Sequence, residues 1–135
     1  MKHHDELLLR ASPESADGTK ATAPSFDGIW VNELRSTMDL KVTANAIAGI
    51  YTSAVSANGS PVVGRLVGFV NGDLISFVVT WPVGAITAWV GQLLDKAGQP
   101  ELFTLWQMTT NIPDAQEPEG MWASVYAGTD TFRRK

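Results

Sequence analysis

Asn32, Ser36, Tyr51, Ser53 and Thr87 are polar side chains spaced so that they share strand faces with large apolar residues. Counting alternate residues puts Trp30, Asn32 and Leu34 on one face, with Ser36 just beyond, and Tyr51, Ser53 and Val55 on another. Ile75, Phe77, Val79 and Trp81 share a third face, Ala85, Thr87, Trp89 and Gly91 a fourth, and Thr104, Trp106 and Met108 a fifth. Tryptophan is large and rigid with a single N–H donor, so tryptophans make good walls for a flat, partly apolar ligand. If the tryptophan faces point inward, so do the five polar groups. Each costs roughly 1–3 kcal/mol if buried without a partner, which is too much for packing alone. Two readings are open: an internal hydrogen-bond network with ordered water, or a site awaiting a ligand with a polar head.

Catalysis fits the residues poorly. Ser36 and Asp130 would need a histidine to form a hydrolase triad, but the only histidines are His3 and His4 at the terminus, and no G-x-S-x-G elbow is present. The glycines are scattered through turns and form no phosphate-binding loop. Adjacent histidines on a terminus are read as incidental, not as metal ligands. The sequence therefore reads as non-catalytic.

The elements that must position these residues are short β-like runs from Gly28 onward, at 28–34, 37–44, 47–55, 61–70, 73–81, 85–94, 101–110 and 121–127. Turn signals separate them, and Asn71-Gly72 is the strongest because both residues tolerate positive φ. Connections this short exclude parallel crossovers, which need a dozen or more residues. The expected fold is all-β: an eight-stranded antiparallel up-and-down β-barrel over 26–135, which closes its own edges. Residues 1–25 are rich in Ser, Ala, Thr, Pro and acidic residues and read as a flexible N-terminal tail with a helical turn at Asp5–Arg10.

At 135 residues the chain can bury a core without metal or disulfide help, and with no cysteine it has no disulfide, Cys-ligated zinc site or catalytic thiol. A formal net charge of −4 gives no electrostatic case for nucleic acid or an anionic membrane, and no apolar run approaches the ~18 residues of a spanning helix. The opening MKHHDELLLR has three consecutive leucines followed by charged and polar residues, which is not a signal-peptide pattern. Asn58-Gly59-Ser60 has the form of a glycosylation sequon but reads as a turn.

In order along the chain, these fragments resemble the avidin/streptavidin family of biotin-binding barrels. Gly28 to Met38 resembles the family's first strand and turn, G-x-W-x-N-x-L-x-S, and Gly49 to Val55 its third strand. Gly64-Arg65 resembles the fourth strand, Thr87-Ala88-Trp89-Val90-Gly91-Gln92 the T-x-W-x-G-Q of the sixth, and Gly128 to Phe132 the closing G-x-D-x-F. Trp106 and Trp122 match two further pocket tryptophans. The resemblance spans 28–133, about four-fifths of the chain, and streptavidin-type barrels of eight strands hold one small ligand.

The resemblance implies that Asn32, Ser36 and Tyr51 donate to the ureido oxygen of biotin, while Asp130 and Ser53 accept from its N–H groups. It implies that Thr87 donates to the thioether sulfur, and that Trp81, Trp89 and Trp106 enclose the rings with Leu34, Val55 and Met108. It further implies a homotetramer in which Trp122 reaches a neighbouring subunit's site, and a secreted location. The tail end of the site departs from the family pattern. Ala85 stands where relatives commonly carry a carboxylate-binding Ser, only seven residues separate Trp81 from Trp89, and Pro82 stiffens that loop. The connection after Val55 is also shortened, leaving a backbone N–H near Ala57 as the replacement. The same barrel tuned to another cyclic urea or thioether, or used as an oligomeric scaffold without a ligand, are the competing functions.

Overall fold

Short runs of alternating apolar and polar residues, cut by Gly, Pro, Asn and Asp, build strands with one buried face. The computed structural model describes residues 4–11, 25–54, 58–117 and 119–135, with the main chain alone for Lys96, Met121 and Trp122. A single helical turn, α1 (His4–Leu8), comes first. The strands follow as β1 (Gly28–Val31), β2 (Thr37–Thr43), β3 (Ala46–Ser53), β4 (Val62–Asn71), β5 (Leu74–Thr80), β6 (Ala85–Lys96), β7 (Gln99–Thr110) and β8 (Val125–Arg134). Each pairs antiparallel with the next and β8 returns to β1, giving the expected closed eight-stranded barrel.

Burial grades along the inward faces and shows which end is open. On β5, Ile75, Phe77 and Val79 are buried while Trp81, just past the strand's end, is half-exposed. On β7, Leu102 and Thr104 are buried, whereas Trp106, Met108 and Thr110 are half-exposed. The interior is thus packed at one end and opens at the end that carries the turns 32–36 and 81–84 and the described residues 58–61 and 111–117. The packed end is plugged by Phe26 and Trp30, whose indole N–H donates to the Phe26 carbonyl at 3.0 Å. Arg134 lies over the Trp30 ring, 4.5 Å from its centroid, and donates to the carbonyls of Asp27 and Ser25. Trp30 therefore belongs to the floor and not to a ligand wall.

Four expectations are corrected. The last strand is 125–134, not 121–127; residues Met121–Ser124, including the backbone of Trp122, form a 3₁₀ turn before it. The first strand ends at Val31 because Asn32 opens a turn, so 32–34 are loop. Leu102, which reads in the sequence with Val31, Val63, Val78 and Val90 as an apolar outward position, is 0% exposed in the core, as its shared face with Thr104 and Trp106 requires. The 71–74 hairpin turns on Gly72-Asp73, with only Gly72 at positive φ (62°), while Asn71 pairs with Leu74 as the last rung. Gly at the first central position is the type II′ requirement.

Candidate functional site

The loop after β1 sets the site's first donor. Asn32 N donates to the Ser36 carbonyl and Arg35 N to the Asn32 carbonyl, both at 3.0 Å, with Arg35 at φ 67°. Inside this turn the Asn32 side-chain oxygen accepts from Ser36 N at 2.9 Å and Leu34 N at 3.1 Å. Two backbone donors on that oxygen fix which way the amide points, so its NH₂ is committed to the barrel interior. There Nδ2 donates to the Tyr51 hydroxyl and to Asp130 Oδ1, each at 3.3 Å.

Ser36 accepts from Ala54 N at 3.0 Å, which leaves its hydroxyl hydrogen to donate, and it is hydrogen-bonded to Tyr51. Burial pushes the Tyr51 hydroxyl far up from its ordinary value, with the nearby Asp130 charge adding to it. Tyr51 therefore keeps its proton and stays a donor. Its ring stacks on Trp89 at 5.0 Å between centroids and meets Trp81 edge-on at 5.5 Å, so its hydroxyl has a fixed place. Trp81 Nε1 donates to Thr87 Oγ1 at 2.9 Å, leaving the buried Thr87 hydroxyl its own hydrogen to give.

Asp130 is the carboxylate that accepts within this cluster. Burial raises its pKa above 3.8 and the like charge of Glu33 raises it further, while bonds from Trp89 and Asn32 oppose both. Trp89 Nε1 donates to Asp130 Oδ2 at 2.9 Å, and Thr104 Oγ1 to the Asp130 carbonyl at 2.8 Å. Ser53 is half-buried on the Tyr51 face, and Trp106 and Met108 are half-exposed on the inward face of β7. Among the described residues no buried side-chain N or O lacks a partner, so the polar residues do satisfy one another. They do so at the open end, and the two bonds from Asn32 Nδ2, long at 3.3 Å, are ones that a better-placed ligand atom can replace.

Asn32, Ser36, Tyr51, Thr87, Trp81, Trp89 and Asp130 are thus brought together. Leu34 is not on an interior strand face: it is 62% exposed on the loop at the mouth, because period-2 counting does not survive the turn at Asn32. Val55 and Ala57 lie outside the described residues, as does the Trp122 side chain. Thr104 and the indole N–H of Trp89 were missed as partners of Asp130. Ending the last strand at 127 left Asp130 off the sheet, whereas the Thr104↔Asp130 rung places it directly.

A family model described as the Avidin family matches residues 20–135. The chain belongs to the avidin family. Among solved structures it is similar to the X-ray structure of a biotin-binding protein from chicken, with 26% identity, a TM-score of 0.73, and coverage of 85% of this chain and 99% of that one. A structure titled AVR2 gives 27% identity and a TM-score of 0.75 over 84% and 97% of the two chains. Apo shwanavidin gives 27% identity and 0.65 over 82% and 100%. Comparison with curated protein sequences finds no match. As an avidin-family chain it is a barrel of the biotin-binding type, and the cluster just described occupies the barrel's open end.

Proposed function

We propose that this avidin-family chain is a non-catalytic, high-affinity biotin binder. The observation that carries the reading is the locked Asn32 amide. With its oxygen held by the Leu34 and Ser36 N–H groups, Nδ2 joins the Ser36 and Tyr51 hydroxyls as a donor trio beside the Asp130 carboxylate. A cyclic urea presents the complement, a carbonyl flanked by N–H groups. Ser53 would be the second acceptor, Thr87 would face the sulfur, and Trp81, Trp89, Trp106, Met108 and Val55 would enclose the rings, with Leu34 and Ala57 at the rim. Groups already held in place lose little freedom on binding, which favours high affinity. Calorimetry should show one biotin bound per chain; no saturable heat would overturn the reading. Ala85 favours a second one, in which the same head site takes a cyclic urea with a different tail.

The tail end leads to a testable difference. Ala85 has no hydroxyl, and Trp81 N donates to the Ala85 carbonyl at 3.2 Å across a short loop, so little is available to hold a carboxylate. An exposed charge gains only modestly from its contacts. Biotin and a biotin amide should therefore bind within about tenfold of each other, or about 1.4 kcal/mol. Dissociation should also be faster than from relatives with a long closing loop, since lid contacts act mostly on off-rate. A free-acid preference far beyond tenfold would mean that another group, such as the Ala57 N–H, holds the tail.

Assembly follows from the outer face. Val63 (51%), Val90 (57%) and Leu105 (61%) are exposed there, with Val78 and Ile86, where a monomer would show polar residues. The proposal is a homotetramer of dihedral symmetry in which Trp122 caps a neighbour's ligand. Light scattering should give four chains per particle, and Trp122→Ala should weaken biotin binding. A stable monomer would count against the assembly, and undiminished binding against the Trp122 role.

A further inference from the structure

We infer that Glu33 is a positioning residue: it fastens the loop that carries the donors Asn32 and Ser36 to the strand that carries the acceptor Asp130. The geometry is independent of the ligand, while the consequence for affinity rests on the biotin reading above.

The barrel closes on its shortest ladder. β1 and β8 share the rungs Trp30↔Arg134 and Val31↔Arg133, whereas β6 and β7 are paired along their whole length. Beyond Val31 the main chain leaves β8, because Asn32 N turns back to the Ser36 carbonyl. Glu33 takes over at the next step. Its carboxylate accepts from Thr131 N with both oxygens, at 2.8 and 3.1 Å. The seam is thereby extended by a side chain to the residue next to Asp130, at the level of the site.

This placement is not what a solvated loop glutamate needs. Glu33 lies close enough to Asp130 for the like charge to oppose ionisation of the acceptor, an electrostatic cost at the head of the site. What offsets it is register. Among the described residues, without the Glu33 contact the loop 32–36 would be joined to β8 near the site by the 3.3 Å bond from Asn32 to Asp130. Donor and acceptor would then share one soft link, and a rigid cyclic head needs both at fixed separation. Other ionisable groups around this seam are Tyr51 on β3, exposed Arg35 on the loop, Arg133 on β8, which pairs outward with Glu101 on β7 at 3.2 Å, and, at the floor end, Arg134 on β8 beside Asp27.

The test compares Glu33→Ala and Glu33→Gln in the full chain. Glutamine keeps a carbonyl acceptor for the Thr131 N–H but removes the charge. Glu33→Ala should weaken biotin binding by about three- to tenfold, and Glu33→Gln should restore most of it. Biotin binding by Glu33→Ala at wild-type affinity, or by Glu33→Gln no better than by Glu33→Ala, would overturn the inference. Two readouts need no ligand. Amide exchange at Thr131 should quicken in Glu33→Ala and stay near wild type in Glu33→Gln. The indole N–H resonance of Trp89, bonded to Asp130, should titrate at lower pH in both variants. Unchanged Thr131 exchange in Glu33→Ala, or an unmoved Trp89 midpoint, would also overturn it. If the wild-type chain binds no biotin while these two readouts behave as stated, the biotin reading fails and the Glu33 inference stands.

Discussion

Asp130→Ala should weaken biotin binding by about 3 kcal/mol or more, over a hundredfold in Kd, because a charge-assisted bond to a partly buried carboxylate is lost. The loss extends beyond one contact. Asp130 also accepts from Trp89 Nε1 and Asn32 Nδ2, so alanine leaves an indole N–H and an amide N–H without their partner. Asn32→Ala should cost a similar amount by another route. It removes a donor and also the oxygen that organises the Leu34 and Ser36 N–H groups, so the loop loosens with it. Both variants should retain the barrel, since neither side chain belongs to the apolar core. Circular dichroism with calorimetry separates the effects, and an alanine variant that binds like the parent would remove that residue from the site.

The same carboxylate sets a pH dependence whose sign is opposite for folding and for binding. Burial, aided by Glu33, raises the Asp130 pKa above its ordinary value of 3.8. Between that value and the raised one, the folded chain binds more protons than the unfolded chain. This contribution to ligand-free stability is present below pH 3.8 and lost as pH rises through the raised pKa. Ligand N–H groups favour the ionised carboxylate, so affinity for biotin should rise across that window. The increase in Tm caused by biotin should grow as pH is raised from about 4 and then level off. Asp130→Asn should flatten the profile. A biotin-induced shift that is constant over acid pH would show that Asp130 is not the titrating acceptor.

The barrel was legible because its strands keep a period of two and its turns carry Gly, Pro and Asn, so eight runs and their order could be read directly. The site was legible where a residue sits inside a strand, as Tyr51 and Trp89 do, since alternation then fixes the face. It failed at strand ends. Leu34 was carried one turn too far along a face that stops at Val31, and Asp130 was left beyond a strand drawn too short. The resemblance supplied Asp130, and the register with Thr104 supplied its surroundings. No sequence signal separates Glu33 from an ordinary solvated glutamate. Its role depends on where the β1–β8 ladder runs out, which is a property of the closed barrel.

Two glycines matched as sequence markers have a physical reason that only packing reveals, and it gives the second large effect. A Cβ at Gly64 would press on Val79 and lie 2.9 Å from both the Thr80 carbonyl and Trp81 Cε3. A Cβ at Gly128 would lie 2.6 Å from Trp106 Cζ2 and 2.8 Å from Cε2. Each glycine leaves room for an indole to come close to the neighbouring strand, and so bears on the width of the pocket. The two positions differ in what can yield. The three atoms nearest a Cβ at Gly128 all belong to the Trp106 indole, so Gly128→Ala should be relieved mainly by that ring swinging toward the interior. Stability should change little, while biotin affinity should fall by about tenfold or more, ~1.4 kcal/mol. Gly64 faces backbone and a fully buried valine as well, so no single rotation relieves it. Gly64→Ala should cost about 3 kcal/mol of stability as well as displacing Trp81. Denaturant unfolding with and without biotin distinguishes the two variants. If Gly128→Ala binds biotin like the parent, Trp106 is not a wall of the site, and if Gly64→Ala is as stable as the parent, β4 and β5 adjust more freely than their register implies.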